Sequence, residues 1–64
     1  MNLDKLTQLQ SQTVNRVYCL TDEMAELVGE TDLETVEFNI RRISKAIEVE
    51  IEAYEEALRE YHGI

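Results

Sequence analysis

Proline is missing from this 64-residue chain and glycine occurs only twice, at Gly29 and Gly63, so two long segments run without a residue that breaks a helix. The one interior interruption falls near the middle. Around it, Leu27-Val28-Gly29 reads as a helix stop with Gly29 left-handed, and Thr31-Asp32-Leu33-Glu34 reads as a capping box in which Thr31 accepts and Glu34 reaches back. One helix therefore ends and another begins within about three residues, and so short a connection predicts an antiparallel helical hairpin.

Both segments carry the helical period. The first, from about Leu3 to Val28 with Asn2 as its cap, places Leu3, Leu6, Gln10, Thr13, Val17, Leu20, Met24 and Leu27 on one stripe. Gln10 and Thr13 are its polar exceptions, with Leu9 and Val14 beside them to take over if the helix turns slightly. The second, from about residue 32 to 62, gives Leu33, Val36, Ile40, Ile43, Ile47, Ile51, Tyr54, Leu58 and Tyr61. After Ile47 two four-residue steps follow one another and Glu50 stands where a strict heptad wants an apolar residue. Such a stutter unwinds a left-handed supercoil and favours a straight helix in a bundle.

Beside each stripe lies a weaker apolar flank: Val14, Tyr18, Thr21, Ala25 and Val28 on the first helix, and Ala46, Val49, Ala53 and Ala57, with Phe38, on the second. A chain this short buries only about 60% of its unfolded surface, and folds of this size usually need disulfides, a metal or a second copy. Cys19 is the single cysteine, so no intrachain bridge forms. Self-association is the remaining remedy. The expectation is an all-α fold, one domain over residues 1–64, in which two hairpins pair into a four-helix bundle through Val14, Tyr18, Ala25, Ala46, Val49, Ala53 and Ala57. In layout this resembles the ROP type of plasmid copy-number regulator, and the resemblance implies a dimeric bundle that contacts RNA. No motif carries residues over from that family.

The sequence offers little chemistry. His62 is the only histidine and lies in the last turn expected for the second helix, where it suits the negative end of the helix dipole better than catalysis. Glu-x-x-His is absent, because Arg59 stands three before His62. Glu48, Glu52, Glu55 and Glu56 occupy neighbouring helical positions without a loop of oxygen ligands, which reads as a solvated acidic face in preference to a cation site. Cys19 reads as a spare, partly exposed thiol. No enzyme activity, cofactor or metal is expected. Neither apolar stripe is continuous enough to span a membrane, and one cysteine with no leader fits a complete cytoplasmic gene product.

Charge is the informative property. Fourteen acidic residues against six basic ones give a net charge of −8, which disfavours nucleic acid and anionic lipid. One acidic block surrounds the turn and another occupies the last third of the second helix. Between them Arg41, Arg42 and Lys45 form a basic band, with Arg16 expected opposite Lys45. Glu48, Glu52, Glu56 and Glu60 repel one another at four-residue spacing, and Tyr54 and Tyr61 lie at the same end. These features predict a small acidic adaptor or inhibitor that binds a basic protein surface through Glu48, Glu52, Glu55, Glu56, Tyr54 and Tyr61, in the style of phage or mobile-element proteins that modulate a host enzyme or defence complex. The alternatives are a DNA mimic whose carboxylates stand in for phosphates, and an RNA contact through Arg16, Arg41, Arg42 and Lys45.

Overall fold

The computed structural model describes residues 2–63; the two terminal residues of the expected 1–64 domain lie outside it. It is a helical hairpin. Helix α1 runs Leu3–Ala25 and tightens into a 3-10 turn at Glu26–Gly29, and after three linking residues helix α2 runs Leu33–His62. The described residues contain no strand.

Each helix starts on a side-chain cap. Asn2 Oδ1 accepts the Lys5 N–H at 2.8 Å, as its position before the first stripe residue predicts. At α2 the cap falls one residue later than the capping box implies: Asp32, not Thr31, accepts from the N–H groups of Glu34 and Thr35 at 3.1 and 3.4 Å and from the Thr35 hydroxyl at 3.0 Å. An ionised acceptor gains more from the positive end of a helix than a neutral hydroxyl does. Thr31 is left outside the helix, where its N–H and that of Asp32 both donate to Glu30 Oε1, at 3.0 and 3.1 Å.

Gly29 is also corrected. Among the described residues only Gly63 has a positive φ, 73°, and it closes α2. The first helix ends without a left-handed residue, because its last turn tightens and the Glu30 N–H donates to the Leu27 carbonyl at 3.0 Å. The chain reversal therefore does not need glycine there, and a Cβ at Gly29 would meet nothing within 4 Å.

The cap makes α2 sensitive to acid at its first turn. The Thr35 hydroxyl, then the backbone N–H groups of Thr35 and Glu34, hold the Asp32 carboxyl below its ordinary 3.8. A depressed carboxyl stabilises the fold above its unfolded value, and that contribution is lost as pH falls through the lower folded value. The amide resonances of Glu34 and Thr35 are expected to hold their capped positions at neutral pH and to shift only below about pH 3.8. Asp32→Asn should keep the cap and abolish the titration; Asp32→Ala should lose both and lower the melting temperature by a few degrees.

The packing is thin. The Cα trace fills a slab of 47 × 18 × 8 Å with a radius of gyration of 15.0 Å, against about 11 Å for a compact chain of this length. On α1 the inward stripe is Leu6, Leu9, Thr13, Val17, Leu20 and Met24, so Leu9 replaces the expected Gln10 while Val14 stays exposed. On α2 it is Val36, Ile43, Ala46, Ile47, Glu50, Tyr54 and Ala57. Ile43, at 1% exposure, is the one large side chain fully enclosed among the described residues.

Thus Ala46 and Ala57, expected on an outer flank, belong to the hairpin's own seam, whereas Leu33, Ile40 and Ile51, expected in the seam, are exposed. Small side chains explain the rotation. Alanine lets α1 settle closer to that side of α2, and the branched row on the other side is turned outward.

Candidate functional site: two unlike faces of one hairpin

The broad faces of the slab differ in chemistry. Across one, α1 and α2 are joined by two ion pairs, Arg16 Nη1 to Glu50 Oε2 at 3.5 Å and Arg42 Nη2 to Glu23 Oε1 at 3.8 Å. Arg16 and Glu23 on α1, and Arg42 on α2, lie to one side of the inward stripe, and the exposed apolar residues of the seam's border lie to the other. The two apolar flanks therefore share the opposite face.

On α1 that flank comprises Leu3, Gln10, Val14, Thr21 and Val28, with Tyr18 and Ala25 at its rim, and it contains no charged residue. Even Thr21 is prepared for an apolar neighbour, since its hydroxyl donates to the Tyr18 carbonyl at 2.7 Å. On α2 it comprises the exposed Leu33, Ile40 and Ile51, with the half-buried Ile47 and Leu58 on its border with the seam. Val28 is 90% exposed, Leu33 80%, Ile51 45% and Ile40 42%. The chain exposes 5062 Å², roughly 800 Å² more than a folded monomer of 7.5 kDa is expected to show.

Val49, Ala53 and Phe38 lie on the other side of α2, toward the ion-paired face. The flanks expected to act together, Val14-Tyr18-Ala25 on α1 and Val49-Ala53 on α2, thus look out of opposite sides of the hairpin. They do not form one surface. The cause is the rotation of α2, which hides the alanines and exposes the isoleucines.

The basic band is neutralised in place. Besides the two cross-helix pairs, Arg41 meets Glu37 at 2.9 Å and Lys45 meets Glu48 at 3.9 Å. Arg16 does not face Lys45 but Glu50, the residue at the stutter. All four cations of the expected RNA-contacting band have a carboxylate partner, so they form no free cationic girdle. Glu37 and Arg41, four residues apart on α2, form a pair, while Glu55 and Arg59 at the same spacing are not among the ion pairs of the described residues.

Glu52, Glu55, Glu56 and Glu60 are exposed along α2 away from α1, with no cation in ion-pair range among the described residues. Tyr54 is not with them, for it is half-buried in the seam. Tyr61 is exposed at the end of α2, its ring set edge-on to His62 at a centroid distance of 5.3 Å. A shallow groove of about 400 Å³ opens on the ion-paired face between Asn15, Arg16, Cys19, Leu20, Ala46 and Glu50. Its two charged residues neutralise each other, and Cys19 at its edge has no base beside it among the lining residues. No helix among the described residues is long and apolar enough to cross a membrane. No protein-family profile, curated protein or solved structure matches this chain.

Proposed function

We propose that this chain is a non-enzymatic protein-binding module, a hairpin that pairs with a second copy in a four-helix bundle and presents the acidic outer side of α2 to a basic protein surface, as an adaptor or inhibitor. The observation that carries the reading is the division of labour between surfaces: the uncharged face suits burial, and the unneutralised carboxylates point away from it. Carboxylates repelling one another along one helix cost stability in isolation, and a cationic partner would remove that cost. Neither the groove nor the helix ends assemble a nucleophile beside a base, which supports binding over catalysis.

The test uses immobilised full-length chain with cytosolic extract at low and high salt. A basic protein should be retained at low salt and released at high salt, and Glu52→Lys, Glu55→Lys and Glu56→Lys together should reduce retention by about tenfold or more. Reversing Glu26, Glu30 and Glu34 at the turn should change it little. If no salt-sensitive protein is retained, or if the turn variants abolish retention and the α2 variants do not, the reading fails. Displacement of the retained protein by duplex DNA would identify the DNA-mimic version of the same surface.

A further inference from the structure

Leu33 and Val14 apart, the apolar-face row on each helix is symmetric end to end, and both centres of symmetry fall at one level of the hairpin. On α1 and its 3-10 extension, Leu3 and Val28 stand at equal distances from the middle, as do Gln10 and Thr21, and the midpoint lies between Asn15 and Arg16. On α2, Ile40 is matched by Leu58 and Ile47 by Ile51 about Val49. Arg16 pairs with Glu50 across the hairpin, so the two midpoints sit side by side. The stutter that disrupts the heptad is what centres the α2 row.

From this the geometry points to one partner and one orientation: a second copy of the chain, seated on the Leu3-to-Val28 and Ile40-to-Leu58 face and turned about a two-fold axis across the helices at the level of Val49, so that the two turns lie at opposite ends. The inference rests on the self-association proposed above and specifies its form. In that arrangement apolar meets apolar and polar meets polar: Ile40 of one chain packs on Leu58 of the other, Ile47 on Ile51, Leu3 on Val28, and Gln10 on Thr21. A two-fold interface must be complementary to itself, and an end-to-end symmetric row meets that condition.

The area agrees. The slab's 47 × 18 Å face would contribute about 800 Å² per chain, the share one partner gives to a standard stable interface and close to the excess surface of the single hairpin.

Nitroxide labels decide the orientation. Gly29→Cys tolerates a side chain in open space, and Cys19→Ser removes the native thiol, which lies on the ion-paired side. In the full-length dimer the two labels should be about 40 Å apart, from the rise per residue between the turn and the axis. A second label at His62→Cys should give a similar separation. Distances below roughly 25 Å at both sites would overturn the orientation while leaving the bundle intact. A monomer of 7.5 kDa by sedimentation at micromolar concentration would overturn the orientation and the bundle together.

Discussion

Ile43→Ala is expected to leave most of the chain unfolded at 25 °C. Removing a buried isoleucine side chain down to alanine costs about 2–5 kcal/mol, the upper values where the surroundings cannot close the gap. Ile43 is the most enclosed of the described residues, at 1% exposure, and it lies in the seam between α1 and α2. A core of this size supplies about 3–5 kcal/mol in all, so one truncation removes most of the margin. Helical circular dichroism followed through a thermal melt would report it. Val49→Ala on the same helix should melt like the parent, because Val49 is half exposed on the ion-paired side and supports no seam contact. Equal effects from the two substitutions would mean that the seam does not run through Ile43.

Much of the hairpin was legible from spacing alone. Helix α2 is bounded by spacing within a residue, although its cap, expected at Thr31, is Asp32. Asn2 was legible for the same reason. The rotation of the helices about their axes was not. A stripe of residues repeating every three or four positions covers a broad arc, and the sequence does not say which edge of that arc faces the partner helix. Size decides it, through the closeness Ala46 and Ala57 permit, and that effect exists only once two helices are side by side. The same ambiguity carries over to the surface: spacing marks Val14, Tyr18 and Ala25 as a flank but matches it with Val49 and Ala53 on α2, whereas Leu33, Ile40 and Ile51 occupy that side.

The charge pattern was similarly half legible. The surplus of carboxylates and their blocks are properties of the chain, but whether a basic band is free depends on what stands across from it. Glu50 lies one turn from Lys45 on the seam side and intercepts Arg16. Exposed pairs of this kind contribute about 0–1 kcal/mol each, so they do little for stability. Their consequence is electrostatic: each cation of the band is offset by a neighbouring carboxylate, and the carboxylates without a cation in range among the described residues lie toward the far end of α2.

Ile40→Glu with Ile51→Glu is expected to abolish the proposed self-association, with a dissociation constant raised by about a hundredfold or more. The double variant would place four carboxylates, two of them at its centre, in a proposed interface that otherwise has no charge on its α1 half. Burying an unpartnered polar group costs about 1–3 kcal/mol by mutational measure and more for a charge, while each 1.4 kcal/mol is tenfold in affinity. Within one hairpin both side chains are already more than two-fifths exposed, so the seam loses little directly. Because folding and pairing are linked, any loss of helicity should depend on protein concentration and recover when the chain is concentrated. Val49→Glu with Ala53→Glu introduces the same charge on the same helix, one face away, and should leave the dimer unchanged in sedimentation. The opposite pattern, with the Val49 and Ala53 substitutions breaking the assembly and the isoleucine substitutions sparing it, would mean that the ion-paired face and not the uncharged one is where two hairpins meet.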